Sequence, residues 1–348
     1  MDDLSAPIDP SPAPPARSGL YHFFFGRFGL RAGWSLAIFV PLCMVTKHGL
    51  DHLLHIIFAH WKLAGISDAA GFQHQILHSL LIEAVLFGGL LIISWVMALI
   101  EGRRVSAFGL GGRHFLHRFL HGAFWGLAAI SLLVGLLYAF HLLTFDKLLD
   151  HGPAILGFGA FQLLLFACVG LFEEYLFRGY VQFTLTRGLV WLGEALSPDR
   201  SRTIAFWIAS FITSAIFLAA HISNSGEDKL GLISVFFGGV IFVVALWRTG
   251  SLWWAIGFHM TWDWGQSFLY GVPDSGQLLQ GRLFATHSSG NVLLSGGTAG
   301  PEGSLLLYPV IALAILVLIH THPSPQPPLE TGSCPHPFAP SPRIFPSA

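Results

Sequence analysis

Residues 157–180 read "GFGAFQLLLFACVGLFEEYLFRGY". Fifteen or so apolar positions, broken by a lone glutamine, run into two adjacent glutamates and, four residues on, an arginine. An isolated run of this length suits a membrane-spanning helix. An ionisable residue at mid-membrane costs about 2.5–3.5 kcal/mol on insertion scales, so Glu173, Glu174 and Arg178 need a reason to be there.

The rest of the chain has the same character. Of its 348 residues, 53% are hydrophobic and 11% charged, and mean hydropathy is +0.63. Soluble domains carry about 25% charged residues. The composition therefore predicts an all-α, polytopic membrane helical bundle. Spans are expected near 33–58, 79–100, 120–142, 156–180, 203–224, 230–247, 251–270 and 304–320, about eight in all, the fourth able to continue past Arg178 as one long helix. Lys47, His48 and Asp51 interrupt the first. Around these spans the chain divides into a Pro-rich leader (1–32), N-terminal transmembrane helices (33–150), a core (151–320) and a Pro-rich tail expected to be disordered (321–348). The leader lacks the apolar stretch and cleavage site of a signal peptide.

Cation placement gives the orientation. Arg103, Arg104, Arg113, Arg118, Arg187, Arg200, Arg202 and Arg248 fall in loops on one side, together with the arginines of both chain ends. The other side holds Lys47, Lys62, Lys147, Lys229 and Arg282. That bias predicts both termini in the cytoplasm of a multi-pass cell-membrane protein. A net charge of −1 gives no footprint for nucleic acid. Cys43, Cys168 and Cys334 have no paired spacing, which excludes a disulfide framework or a thiolate zinc site.

Three spans carry the ionisable residues that stand out as site candidates: Glu173, Glu174 and Arg178 on the fourth, His221 in "FLAAH" on the fifth, and His259 and Asp263 in "HMTWD" on the seventh. At 100° per residue, Glu174 and Arg178 form an acid-first i,i+4 pair, a structural acid with its partner. Glu173 points about 100° away and is free to face a cavity. His259 and Asp263 share a face, and so do Phe217 and His221. Gly179 permits close approach of a neighbouring helix. A glutamate beside a histidine can activate water, and a second imidazole can stabilise an oxyanion. Such a set suggests amide-bond hydrolysis within the membrane. Neither a G-x-S-x-G turn nor an HExxH motif offers another peptidase route.

The ordered set "EEYLFR" (173–178), "FLAAH" (217–221) and "HMTWD" (259–263) resembles the CAAX-protease and bacteriocin-processing family, also called Abi, of intramembrane glutamate endopeptidases. The similarity extends over roughly residues 155–305. It implies that Glu173 is the water-activating base and His221 its partner. It implies further that His259 and Asp263 form the oxyanion site, with Glu174, Arg178 and Phe217 as support. The substrate would be a membrane protein or peptide, met within the bilayer. Asparagine is the commoner family residue at the position of Asp263. An ionised aspartate accepts hydrogen bonds and cannot donate to an oxyanion. It would orient His259 instead, whereas a protonated one would donate directly. The ionised role is the expectation.

Glu173, His221 and His259 are a possible zinc ligand set with an open position; the motif pattern favours a cofactor-free reaction. A non-enzymatic bacteriocin-immunity or scaffold protein of the same fold is the alternative function. A transporter would show related halves with broken helices, and no repeat is visible. His48, Asp51, His52 and His55 share a helical face but belong to no motif, and read as a juxtamembrane polar face. The glycine-rich stretch 271–303 has no phosphate-loop Lys-Ser/Thr. Within it "GPEGS" is expected to start the last helix, with Pro301 near its first position and Glu302 at its positive end.

Overall fold

The computed structural model describes residues 19–63, 71–112, 114–149, 152, 154–224, 226 and 229–324. The chain opens with a short helix α1 (Gly19–Phe24) and a two-residue β-pair, β1 (Phe25–Gly26) with β2 (Gly29–Leu30). Part of the expected leader is thus folded, its first 18 residues lying outside the described ones. Two long helices follow, α2 (Ala32–Leu63) and α3 (Gly71–Glu101), then α4 (Phe115–Ala139). A strand β3 (Leu143–Leu148) precedes α5 (Ala154–Glu173). A π-helical stretch, Glu174–Val181, joins α5 to α6 (Gln182–Leu196). Next come α7 (Ser201–His221), α8 (Lys229–Thr249) and α9 (Trp253–Trp264), the last extended by a second π-helical stretch, Gly265–Tyr270. After a glycine-rich loop holding strand β4 (Phe284–Ser288) and helix α10 (Val292–Ser295), α11 (Leu307–Thr321) closes the bundle.

Helices thus stand at all eight expected positions in an all-α membrane bundle. Five of them are long and apolar enough to cross a membrane by length and composition, and α11 is a shorter apolar helix. Much of their apolar surface points outward, as at Ile92, Trp95, Leu99, Phe211 and Leu316. That is the arrangement expected of helices solvated by lipid. The fourth span does continue past Arg178, as one helical unit of 42 residues, Ile155–Leu196. At 1.5 Å per residue it is about 60 Å long, twice the roughly 30 Å hydrocarbon core. From Ile155 to Phe172 it carries no charge, and the remainder brings in Glu173, Glu174, Arg178, Arg187 and Glu194.

The tightest packing is between α4 and α9, and it fixes the seventh span. A Cβ on Gly257 would sit 2.1 Å from the Phe119 carbonyl oxygen, and one on Gly126 would sit 2.3 Å from that of Phe258. Glycine on both helices lets the backbones touch. Thr261 then donates across the seam to the Ala123 carbonyl at 2.7 Å. Gly179 does the same for the fourth span, its Cβ position lying 2.8 Å from the Phe108 carbonyl oxygen.

Two features depart from expectation. The third span ends at Ala139 rather than 142, and β3 beyond it pairs antiparallel with β4 from the glycine-rich stretch, Leu143 opposite Ser288 and Leu148 opposite Phe284. Pairing between segments 140 residues apart in sequence leaves no local periodicity to read. Pro301 opens a 3₁₀ turn (Pro301–Gly303), and α11 begins later, at Leu307. Glu302 therefore does not cap α11. Its Oε1 accepts from Trp262 Nε1 at 2.8 Å and Gln266 Nε2 at 3.1 Å, and its Oε2 from the Ser275 backbone N–H and hydroxyl, both at 3.1 Å. Four donors outweigh a helix dipole, so Glu302 pins the loop to α9 and its extension.

Candidate active site

The ends of α5 and α7 and the middle of α9 meet around a cavity of about 710 Å³. Glu173, His221, His259 and Asp263 all line it, together with Phe217. The two glutamates part as their angular separation predicts. The Glu173 side chain is 22% exposed and opens to the cavity, whereas that of Glu174 is fully buried.

Glu174 Oε1 accepts from Arg178 Nη1 at 3.0 Å, the expected i,i+4 pair. The same oxygen lies 3.1 Å from His259 Nδ1 on α9. Glu174 is therefore more than Arg178's counter-charge: it holds the imidazole by one nitrogen and turns the other toward the cavity. There Nε2 lies 3.7 Å from Glu173 Oε2 and 3.4 Å from Asp263 Oδ2. Three carboxylates from two helices thus surround one ring. The ring also stacks on Phe242 of α8, with centroids 5.0 Å apart and planes at 21°.

Arg178 lies almost wholly buried between aromatic faces, its Cζ 4.1 Å from the Phe217 ring centroid and 5.2 Å from that of Phe242. Ring quadrupoles attract such a cation. Phe217 thereby carries Arg178 and also the His221 ring, which sits 4.6 Å away, one turn on.

His221 is the last residue of α7, half-exposed at the cavity wall. Its Nδ1 lies 2.9 Å from the Phe217 carbonyl oxygen. A carbonyl only accepts, so Nδ1 carries the hydrogen and Nε2 keeps its lone pair for the cavity. No hydrogen bond or ion pair joins His221 to Glu173; the imidazole in ion-pair range of Glu173 is that of His259. Glu173 and His221 face each other across space.

Among the described residues, Glu173, His221 and His259 do not gather as a close ligand group. The group that does is Asp263, Asp274 and Glu302, with ligand oxygens within 4.8 Å of one another. Asp274 and Glu302 are already occupied by protein donors: Gln266 Nε2 at 3.3 Å and Ser267 Oγ at 3.2 Å on Asp274, and the four donors to Glu302. His48, His52 and His55 lie exposed on α2 outside any such group.

Both π-helical stretches begin within a residue or two of a motif acid, one at Glu174 and the other two residues after Asp263. π-Helical turns are rare and recur at functional sites, where the widened turn re-aims side chains.

Residues 156–265 match the family model of type II CAAX prenyl endopeptidase Rce1-like proteins. All three motifs lie inside the match, so the CAAX-protease resemblance read from them holds for this segment. The match spans about a third of the chain, and the proteins that the family model describes are membrane endopeptidases. No curated protein and no solved structure matches the chain significantly.

Two cavity acids escaped the reading of the sequence, Asp274 of the glycine-rich stretch and Glu83. Glu83 lies in "LLIEAVLF" on α3 and lines the same cavity as the CAAX-protease motifs. The mid-membrane cost that singles out Glu173 applies equally to it. It belongs to no motif, and nothing local ties α3 to α5.

Proposed function

We propose that this protein is a multi-pass endopeptidase of the cell membrane, with both chain ends in the cytoplasm. It would hydrolyse a peptide bond of a membrane-associated protein or peptide. Glu173 takes a proton from a cavity water as the water oxygen attacks the scissile carbonyl carbon. His221, whose Nε2 lone pair faces the same space, accepts the water's other hydrogen in a hydrogen bond and holds the water between the two side chains. The oxyanion that forms is met by Nε2–H of His259, which Glu174 keeps in orientation from the other nitrogen. With hydrogens on both ring nitrogens His259 acts as an imidazolium, and Asp263, ionised, stands as its counter-charge. The proton held on Glu173 then passes to the departing amide nitrogen as the C–N bond breaks, which restores the carboxylate.

The observation that carries this reading is the division of the glutamate pair. Glu173 is the exposed member, in a cavity shared with both motif histidines, and Glu174 is the buried one. We propose that no metal takes part, because the candidate zinc ligands do not converge, and in the carboxylate group that does, Asp274 and Glu302 are taken up by protein donors. Membrane-protein cleavage products compared between cells carrying wild type and Glu173→Gln test the proposal. Products that vanish in the mutant identify substrates as well. An unchanged product pattern would remove the glutamate mechanism and restore the scaffold reading.

A further inference from the structure

The cavity wall contributed by α2 and α3 carries charge that the hydrolytic mechanism does not use. Lys47, Ser79 and Glu83 line it, with Ser79 one turn before Glu83 on the same face of α3.

Among the ionisable groups of the cavity, Glu83 stands apart. Five carboxylates line the space: Glu83, Glu173, Asp263, Asp274 and Glu302. Asp274 and Glu302 accept from side chains of the loop and α9. Glu173 and Asp263 flank His259. Lys47 is the sole lysine or arginine in the lining, and it is held by Asp51 one turn along α2 at 2.8 Å. Glu83 alone of the five has no hydrogen-bond or ion-pair partner among the described residues, although it is half-buried in an otherwise apolar stretch of helix. A carboxylate there without a partner is a standing cost, offset when something that visits the cavity brings the charge.

We propose that Glu83 is a specificity-determining residue that receives a lysine or arginine side chain of the substrate. This rests on the reading of the cavity as a peptide site. A substrate segment whose scissile carbonyl lies at Glu173 and His259 would pass along the α3 wall. A basic residue a short distance from the cleaved bond then meets Glu83 and leaves Lys47 with Asp51. Apolar residues of the same segment meet Leu165, Phe166 and Phe172, which line the intervening wall. The partner chemistry is thus a membrane-embedded peptide with one basic residue in an apolar run.

Binding, rather than cleavage, separates this from the peptidase reading. The full chain in phosphatidylcholine nanodiscs, carrying Glu173→Gln to prevent turnover, is titrated with labelled 20-residue Leu/Ala peptides. Their central residue is lysine, norleucine or glutamate. The lysine peptide should bind at least about tenfold more tightly than the norleucine peptide, as one desolvated charge pair allows. Adding Glu83→Gln should abolish that preference. Adding Glu83→Lys should transfer it to the glutamate peptide, a gain that a misfolded protein cannot give. Equal or absent binding of the lysine and norleucine peptides by the first protein overturns the proposal. A lysine preference that survives Glu83→Gln, the sign of a merely hydrated carboxylate, also overturns it. If the peptides bind with the predicted preference but wild type cleaves none of them, the peptidase reading suffers and Glu83 does not. Cleavage by wild type without charge preference has the opposite meaning.

Discussion

Two clusters of buried charge sit on the same 42-residue helix and have opposite designs. Toward its middle, Glu174 holds Arg178 and His259 at the edge of a cavity. About two turns on, Arg187 meets Glu101 of α3 at 3.4 Å, and Arg103 meets the same carboxylate oxygen at 3.2 Å. Tyr180 donates to the other Glu101 oxygen at 3.0 Å. Arg187 also donates to the Phe28 carbonyl and the Ser35 hydroxyl, each at 3.0 Å, and Arg103 donates to that same carbonyl. This second cluster binds the folded part of the leader, α2, α3 and α6 into one knot. Its arginines turn their Nη donors to fixed partners, although the Nε of each has no hydrogen-bond partner among the described residues. In the first cluster an imidazole nitrogen, a carboxylate and a second imidazole are turned toward open space. Buried charge marks both places; a cavity with unspent acceptors and donors marks one of them as a site of chemistry.

The largest effect expected from this contrast is on stability. Glu101→Ala leaves two buried guanidinium groups without their counter-charge and should cost about 3–5 kcal/mol. Thermal unfolding in detergent would show it, with cleavage per folded molecule unchanged. A loss of turnover at wild-type stability would make the two clusters alike and break the comparison.

Glu174→Gln should behave as an intermediate case. It weakens the hold on Arg178, at roughly 3 kcal/mol. Because His259 loses its orienting partner, the rate per folded molecule should also drop, by about tenfold or more. Stability loss with full turnover would return Glu174 to a purely structural acid.

Asp263→Asn sharpens the site side. With Asp263 as an ionised counter-charge, the substitution removes support from the His259 imidazole, and turnover should fall roughly tenfold. A neutral amide can still donate to an oxyanion, so full activity of the variant would favour a protonated aspartate that donates directly.

The smallest effect expected is that of chelation. Turnover should be unchanged after metal removal from purified, active protein. Stoichiometric zinc, with activity lost on its removal and regained on its return, would replace the metal-free account.

Much of this was legible in the sequence, and what was not shares one physical cause. Apolar length located the helices at all eight positions, because the bilayer imposes a length that composition records. The 100° rule separated Glu173 from Glu174, since that relation is local to one helix. The contact of Glu174 with His259 joins residues 85 positions apart, and the sequence assigned Glu174 to Arg178 alone. Glu302 was read as a helix start because its four donors come from elsewhere in the chain. His221 was paired with Glu173 by motif, whereas the structure leaves a gap between them and brings His259 nearer. Glu83 could have been found by applying the mid-membrane cost to every span rather than to those with motifs. Interactions along one helix leave a period to read; interactions between helices do not.

The central claim is that Glu173 acts on water and Glu174 on structure. Its most direct test measures cleavage rate and melting temperature together on the same purified, lipid-reconstituted Glu173→Gln protein. The account predicts a rate lower by at least about 10²-fold, as loss of a general base entails, with a melting temperature equal to that of wild type. A Glu173→Gln protein that cleaves near the wild-type rate, or one whose lost activity is matched by lost folding, would contradict it.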